Sequence, residues 1–416
     1  MTSNPPKGSV SDKVTQAVFL VGGRGTRLGD IAQQTPKPLL MIEPGLRFLD
    51  VLIEEAARHG FDDILLLAGH KANQVVDAYD GKIVRDARIR VICEPEPQGT
   101  GGALRLAADR LADRFLMANG DSLFEFNLRA LTAQPLKGLA RLALRRVPDA
   151  ARFGAVEFDG RFITAFREKD VTATGPAIIN GGVYLIDRRI LDIIPGPSSM
   201  EKDVFPQLVA ERRLEGEVFD GYFLDMGLPE TYAQARAEVA TRRRRPCAFL
   251  DRDGVLNVDD GYTFRPGDLR WIDGAREAVR TLNDSGYFVI VVSNQAGVAK
   301  GFYTEEDVKS FHAEMSHQLA TRGAHIDAFY FCPHHPDGIV ERYRAANHPE
   351  RKPNPGMLVK AISEWPIDVG GSFLVGDRQA DLDAAAAAGL PGFLFNGAGL
   401  DRLVQSVLDH APHKRV

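Results

Sequence analysis

Ala17-Val-Phe-Leu-Val-Gly-Gly-Arg-Gly-Thr-Arg-Leu28 decides the fold of the first half of this chain. A short apolar run, Ala17–Val21, passes directly into a glycine-rich loop, the signature of a buried strand ending at a phosphate-sized turn. Adjacent glycines let backbone N–H groups approach phosphate oxygens, and the arginines here can neutralise a polyphosphate. The spacing is not that of a dinucleotide loop, because counting from Gly23 the third glycine would fall on Leu28. No Walker lysine follows either. The second half begins with the same construction: Cys247-Ala-Phe-Leu250 runs into Asp251-Arg-Asp253-Gly-Val-Leu-Asn257.

Outward from these two stretches, short apolar runs alternate with amphipathic ones. The runs are Ala17–Val21, Asp63–Ala68, Ile89–Cys93, Arg114–Ala118 and Leu139–Leu144, then Cys247–Leu250, Phe288–Val292, Ala328–Phe331, Ser372–Val375 and Gly392–Phe395. Helical patterns at Phe48–His59, Glu305–Arg322 and Pro355–Ser363 lie between them. This predicts two Rossmann-like, three-layer α/β domains with mainly parallel sheets. At 416 residues two cores are expected. We divide the chain into a flexible tail (1–14), a first domain (15–240), a linker (241–246) and a second domain (247–416). Four arginines at Arg242–Arg245 are read as a solvated helix end and linker.

Composition excludes several classes. A net charge of −5 gives no general attraction for nucleic acid or anionic membrane. Three scattered cysteines suggest no disulfide framework and a reducing compartment. No apolar run approaches a membrane span, and the N-terminus lacks the apolar stretch of a secretion signal, so a cytoplasmic protein is expected.

In the first half, the glycine loop is followed by Pro36-Lys37-Pro38, a lysine stiffened between prolines and suited to hold a fixed charge on phosphate. Glu94-Pro-Glu-Pro-Gln-Gly-Thr-Gly-Gly-Ala103, Asn119-Gly-Asp121, Phe166-Arg-Glu168-Lys169, Asn180-Gly-Gly-Val-Tyr184 and Phe223-Leu-Asp225-Met-Gly-Leu-Pro229 come next. Asp121 falls at the end of an apolar strand, where open α/β sheets place their ligands. Together these motifs resemble the sugar-1-phosphate nucleotidyltransferase family. The resemblance implies attack of a sugar 1-phosphate on the α-phosphorus of a nucleoside triphosphate, by positioning and charge neutralisation. It implies that Gly22, Gly23, Gly25, Thr26 and Arg27 cradle the triphosphate, with Arg27 facing the leaving pyrophosphate, and that Lys37 steadies the phosphates. Asp121 and Asp225 would hold Mg²⁺. Gln98 and Gly99 would lie beside the base, and Glu168, Lys169 and Asn180 on the sugar phosphate.

In the second half, two aspartates one residue apart at a strand end can divide the work of phosphate transfer. Asp251 can attack phosphorus, while Asp253 protonates the leaving alcohol and then activates water. Ser293-Asn294 ends the next apolar strand, Arg351-Lys352 supplies cations ahead of a helix, and Gly376-Asp377-Arg-Gln-Ala-Asp381 ends another strand. The four-part order resembles the haloacid dehalogenase superfamily of phosphatases. It implies an aspartyl-phosphate intermediate on Asp251, phosphoryl binding by Ser293 and Lys352 with Asn294 and Arg351 beside them, and Mg²⁺ between Asp251, the Asp253 carbonyl and Asp377. Asp381 would orient this cluster. The gaps between motifs are too short for a sizeable cap, so a capless site roofed by Asp259–Tyr262 and Gly297–Tyr303 is expected.

Those loops, with Cys332-Pro-His-His335, resemble the heptose 1,7-bisphosphate and histidinol-phosphate phosphatase branch. Its zinc loop reads Cys-x-His and then Cys-x-Cys, whereas this chain has Cys332, His334, His348 and Glu350. That set is chemically able to hold zinc, but loss of two thiolates argues for a metal-free loop. A heptose phosphatase would leave heptose 1-phosphate, the substrate class of the first domain. The first-half motifs are closer to the guanylyl type, so GTP is the expected donor. Two other readings stay open: a hexose 1-phosphate uridylyl- or thymidylyltransferase fused to a histidinol-phosphate-type phosphatase, and one half serving as a non-catalytic module. The sequence leaves a homo-oligomer open.

Overall fold

The computed structural model describes residues 13–23, 25–148, 155–167 and 175–410. In the first half the strands Arg114–Asn119, Gln16–Leu20, Asp63–Ala68 and Ala87–Cys93 lie side by side in that order, all parallel. Numbered by sequence these four have the order 4-1-2-3, the doubly wound arrangement with its crossover reversal between Gln16–Leu20 and Arg114–Asn119. Alternation along each strand feeds two cores: Ile64, Leu66 and Ala68 pack on one face, Leu65 and Leu67 on the other.

The expectation of mainly parallel pairing holds for these four and for Leu214–Val218 beside Ala140–Val147, and not for the rest of the sheet. Ala177–Asp187 runs antiparallel to Arg114–Asn119 and to Ala140–Val147, extending the sheet to ten strands. An apolar run carries no mark of its direction, which is why pattern alone missed this.

The second half is a five-stranded sheet, parallel throughout, in the order Ala328–Cys332, Phe288–Asn294, Cys247–Leu250, Phe373–Gly376, Gly392–Leu394. Ala248 and Leu250 point into one core, Cys247 and Phe249 into the other. Among the described residues, no helix is long and apolar enough to cross a membrane.

The two halves meet through buried polar contacts. Arg58, at the end of the helix Phe48–Arg58, donates to Asp327 at 3.1 Å, just ahead of the strand Ala328–Cys332. Asn127 donates to Asp284 and to the Gly323 carbonyl. The arginine run is not the solvated linker expected from sequence: Arg242 pairs with Glu125, Arg243 with Glu54, and Arg245, only 4% exposed, with Glu55. Acidic partners from the first half draw these side chains inward.

The His59 and His325 rings meet at 4.2 Å, tilted by 41°, within this interface. Burial, reinforced for His59 by Arg58, holds both well on the neutral side of ordinary histidine. Their folded pKa values lie below the unfolded value of about 6.5, so protonation favours the unfolded chain. Stability is therefore complete above pH ~6.5 and falls as the pH drops below it. Urea unfolding should show a lower midpoint at pH 5.5 than at pH 7.5, and replacing both histidines by glutamine should flatten that difference.

Candidate active sites

The first site opens at the crossover reversal, between the ends of Gln16–Leu20 and Arg114–Asn119. A cavity of 700 Å³ there is lined by Gly22, Gly23, Gly25, Thr26, Arg27, Lys37, Gly99 and Asp121. Only glycine fits at position 99: its φ is +72°, and a Cβ would lie 2.4 Å from the Ser198 carbonyl oxygen. Asp121 and Asp225 are brought together by a small ribbon in which Ser122–Phe124 pairs antiparallel with Phe223–Asp225. The Met226 amide closes it by donating to the Asp121 carbonyl.

Lys37, almost fully buried, places Nζ 2.6 Å from Asp121 and 3.6 Å from Asp225. Burial, and then Asp121, pushes the Asp225 carboxyl above its ordinary range despite Lys37 and Arg27. Two converging carboxylates suit a divalent cation, whose charge removes the repulsion between them. The donor set therefore fits Mg²⁺.

Among the other expected residues, Asn180 donates to Tyr184 Oη at 3.0 Å, and Tyr184 lines the cavity. Gln98 does not line the cavity, although Pro97 and Gly99 on either side of it do; its backbone N–H donates to Glu94 and its carbonyl accepts from the Ser198 N–H. Glu168 and Lys169 lie outside the described residues. Glu94, Asn119 and Glu201 also line the cavity without having been assigned a task from sequence. Glu201 carries no flanking motif, so nothing in the sequence pointed to it.

In the second half, Asp251 follows the central strand, with Ser293 and Asp377 at the ends of its two neighbours. Asp251, Asp377 and Asp381 offer oxygens within 4.8 Å of one another. Lys352 Nζ lies 2.9 Å from Asp251 and 2.5 Å from Asp381, and donates to the Val292 carbonyl. Burial pushes Asp251 up, with Asp381 and Asp253 adding to it, although Lys352 opposes. On Lys352 burial works against the charge, but Asp251 and Asp381 outweigh it.

Asp377 Oδ1 is buried with no hydrogen-bond partner, an orphan acceptor of the kind a metal ion satisfies. Gly254 lies against this aspartate so closely that a Cβ would sit 2.3 Å from Asp377 Oδ2. These groups fit Mg²⁺. The Asp253 carboxylate is not part of the cluster: it accepts from Arg252, Asn257 and Gln295 instead.

Asn294, expected beside the phosphoryl group, holds Lys352. Its Oδ1 accepts from the Lys352 N–H and its Nδ2 donates to the Lys352 carbonyl. Arg351 is tied to the His334 carbonyl. Gln295 was missed from sequence: fully buried, it donates to both Ser293 Oγ and Asp253 and accepts from Tyr303. The roof loops meet where Lys300 donates to Tyr262 Oη and the Tyr262 and Phe302 rings touch edge to face.

Cys332 Sγ stands 3.9 Å from His334 Nδ1 and 3.7 Å from His348 Nδ1. Tetrahedral zinc with normal bond lengths spans about 3.6 Å between such donors. Three donors therefore converge. The fourth does not: Glu350 is engaged by Lys360 at 3.6 Å, and its N–H donates to His348 Nδ1.

Comparison with known proteins finds relatives of both halves. Residues 16–242 match the model of the Nucleotidyl transferase family, and residues 350–405 match a HAD-hydrolase-like model. A D-glycero-beta-D-manno-heptose-1,7-bisphosphate 7-phosphatase from Rhodopseudomonas palustris is 47% identical over 169 residues, 41% of this chain and 93% of that protein. A D-glycero-alpha-D-manno-heptose-1,7-bisphosphate 7-phosphatase from Burkholderia mallei is 44% identical over 34% of this chain and 75% of its own length. The crystal structure of HddC from Yersinia pseudotuberculosis superposes with a TM-score of 0.50 at 30% identity, covering 54% of this chain and all of that one.

Proposed function

Because the chain belongs to the nucleotidyl transferase family through residues 16–242 and to the haloacid dehalogenase-like phosphatases through its second half, we propose that it carries two consecutive steps of heptose activation. The second half removes the 7-phosphate of D-glycero-D-manno-heptose 1,7-bisphosphate, and the first half joins the resulting heptose 1-phosphate to GMP from GTP. The observation that carries this reading is that two full phosphate-handling sites share one chain whose phosphatase half is 47% identical to a heptose bisphosphatase. The product of one site is then the substrate class of the other.

In the phosphatase, Lys352 and Ser293 bind the phosphoryl oxygens while Asp251 attacks in line. Asp253, held by Arg252, Asn257 and Gln295, is positioned to protonate the leaving alcohol and then to take a proton from water. Asp251, the Asp253 carbonyl and Asp377 would hold Mg²⁺, which supplies charge compensation between an anionic nucleophile and an anionic substrate. In the transferase, Arg27 and the glycine loop hold the leaving pyrophosphate, Lys37 the reacting phosphates, and Asp121 and Asp225 the Mg²⁺. Glu168, Lys169 and Asn180 hold the sugar phosphate, with the base beside Gln98 and Gly99. We place both reactions in the cytoplasm.

The Cys332 loop is held by its own contacts. Burial keeps the thiol protonated, and the His334 and His348 rings stack in parallel at 3.7 Å. Purified protein should accordingly contain well under one zinc per chain by metal-emission analysis.

Heptose 1,7-bisphosphate with Mg²⁺ should release phosphate, and adding GTP should then release pyrophosphate. Release of pyrophosphate with UTP or dTTP and a hexose 1-phosphate, but none with heptose 1-phosphate, would overturn the substrate assignment while leaving the two-enzyme reading intact.

A further inference from the structure

The arginine run left over from both mechanisms borders a second cavity. It measures 540 Å³ and lies where the two halves meet. Arg58, Arg145, Arg146, Arg242 and Arg245 line it from the first half and the junction, and Arg280 from the second. Glu125, Asp220 and Asp284 line it as well, and Glu55 and Asp327 pair with Arg245 and Arg58, leaving an excess of one positive charge.

Holding the halves together accounts for part of this charge and not the rest. Arg58 pairs with Glu55 on its own helix and with Asp327 across the interface, and Arg245 pairs with Glu55. Yet Arg245 Nε is buried without a hydrogen-bond partner. Arg145 forms no ion pair with any carboxylate among the described residues, and Arg146 reaches only the exposed Asp220, at 3.7 Å. A buried guanidinium N–H left unpaired is costly, and a bound anion would relieve that cost.

The cavity also has an aromatic wall. Phe126 and Phe219 stack at 4.3 Å, and the Arg242 guanidinium lies 4.0 Å over the Tyr222 ring. Guanidinium groups beside stacked aromatic rings match a molecule with phosphates at one end and a planar base at the other. The volume falls within the usual range for small-molecule sites.

We propose that this interdomain cavity is a second nucleotide site, separate from the glycine-loop cavity, that takes a nucleoside diphosphate or its sugar ester. The phosphates sit among Arg145, Arg146, Arg245 and Arg280, and the base lies on the Phe126–Phe219 wall. The ribbon Ser122–Phe124 with Phe223–Asp225 connects the two sites: Tyr222 and Glu125 border the new cavity, and Asp121 and Asp225 adjoin the other end, about 10 Å away.

Calorimetric titration of the full chain with GDP tests this. Wild type should bind two equivalents. The double variant Arg145→Glu, Arg146→Glu should bind one and keep wild-type pyrophosphate release from GTP. Arg280→Ala, on the other half, should weaken only the second equivalent, by roughly tenfold. One equivalent in wild type, or two undiminished in both variants, would overturn the proposal. Inorganic pyrophosphate filling the second site as tightly as GDP would also overturn it, since the base would then contribute nothing.

Discussion

Asp251→Asn should lower phosphate release from the bisphosphate by at least ~10⁴-fold, since removing a covalent nucleophile commonly costs this much or more. Pyrophosphate release should stay within about twofold of wild type. The carboxylate lies at the end of the central strand, 2.9 Å from Lys352 Nζ and in reach of the orphan Asp377 oxygen. The amide keeps the shape but cannot attack phosphorus. Its loss of charge also leaves Lys352 with Asp381 as its sole carboxylate partner. Stability should hold, because burial disfavours the ionised form of Asp251 in the folded chain. A single-turnover assay with acid quench should trap a phosphorylated chain in wild type and none in the variant. Phosphate release at more than a tenth of the wild-type rate would remove Asp251 from the mechanism.

Asp225→Ala should have the mirror effect. Asp225 and Asp121 face each other across the ribbon with Lys37 between them. With one carboxylate gone, Lys37 closes on Asp121 as a simple ion pair, and the second metal oxygen is missing. Loss of a metal clamp on the reacting phosphate is expected to cost on the order of 10³-fold in pyrophosphate release, with phosphatase turnover unchanged. Raising Mg²⁺ should recover little of it, because geometry and not affinity alone is lost. Wild-type transfer by this variant would displace the metal site from Asp225.

The chemistry of both sites was legible because it sits where strands end. An apolar run followed by aspartate or glycine marks such an end, and the structure gathers Asp251, Ser293 and Asp377 from three adjacent ones. Supporting groups were not legible. Gln295 and Arg252 matter through partners their own neighbours in sequence do not reveal, and Asn294 acts on a backbone 58 residues away. The arginine run misled for a related reason. Its local composition is that of a solvated surface, and only the folded chain supplies Glu54, Glu55 and Glu125 as inward partners.

The halves are joined at the starts of their strands. Arg58 and His59 precede Asp63–Ala68, Arg245 precedes Cys247–Leu250, and Asp327 precedes Ala328–Cys332. Both active sites open at the opposite ends. The two mouths are therefore turned away from each other, and on the proposed reading the heptose 1-phosphate made at one would reach the other through bulk solvent. Physical fusion here works as a fixed dosage of one catalyst to one, not as a conduit. A mixture of Asp251→Asn and Asp225→Ala chains should then make the final nucleotide sugar at about half the rate of an equal amount of wild type, after a lag about twice as long, as expected when each activity is present at half the concentration.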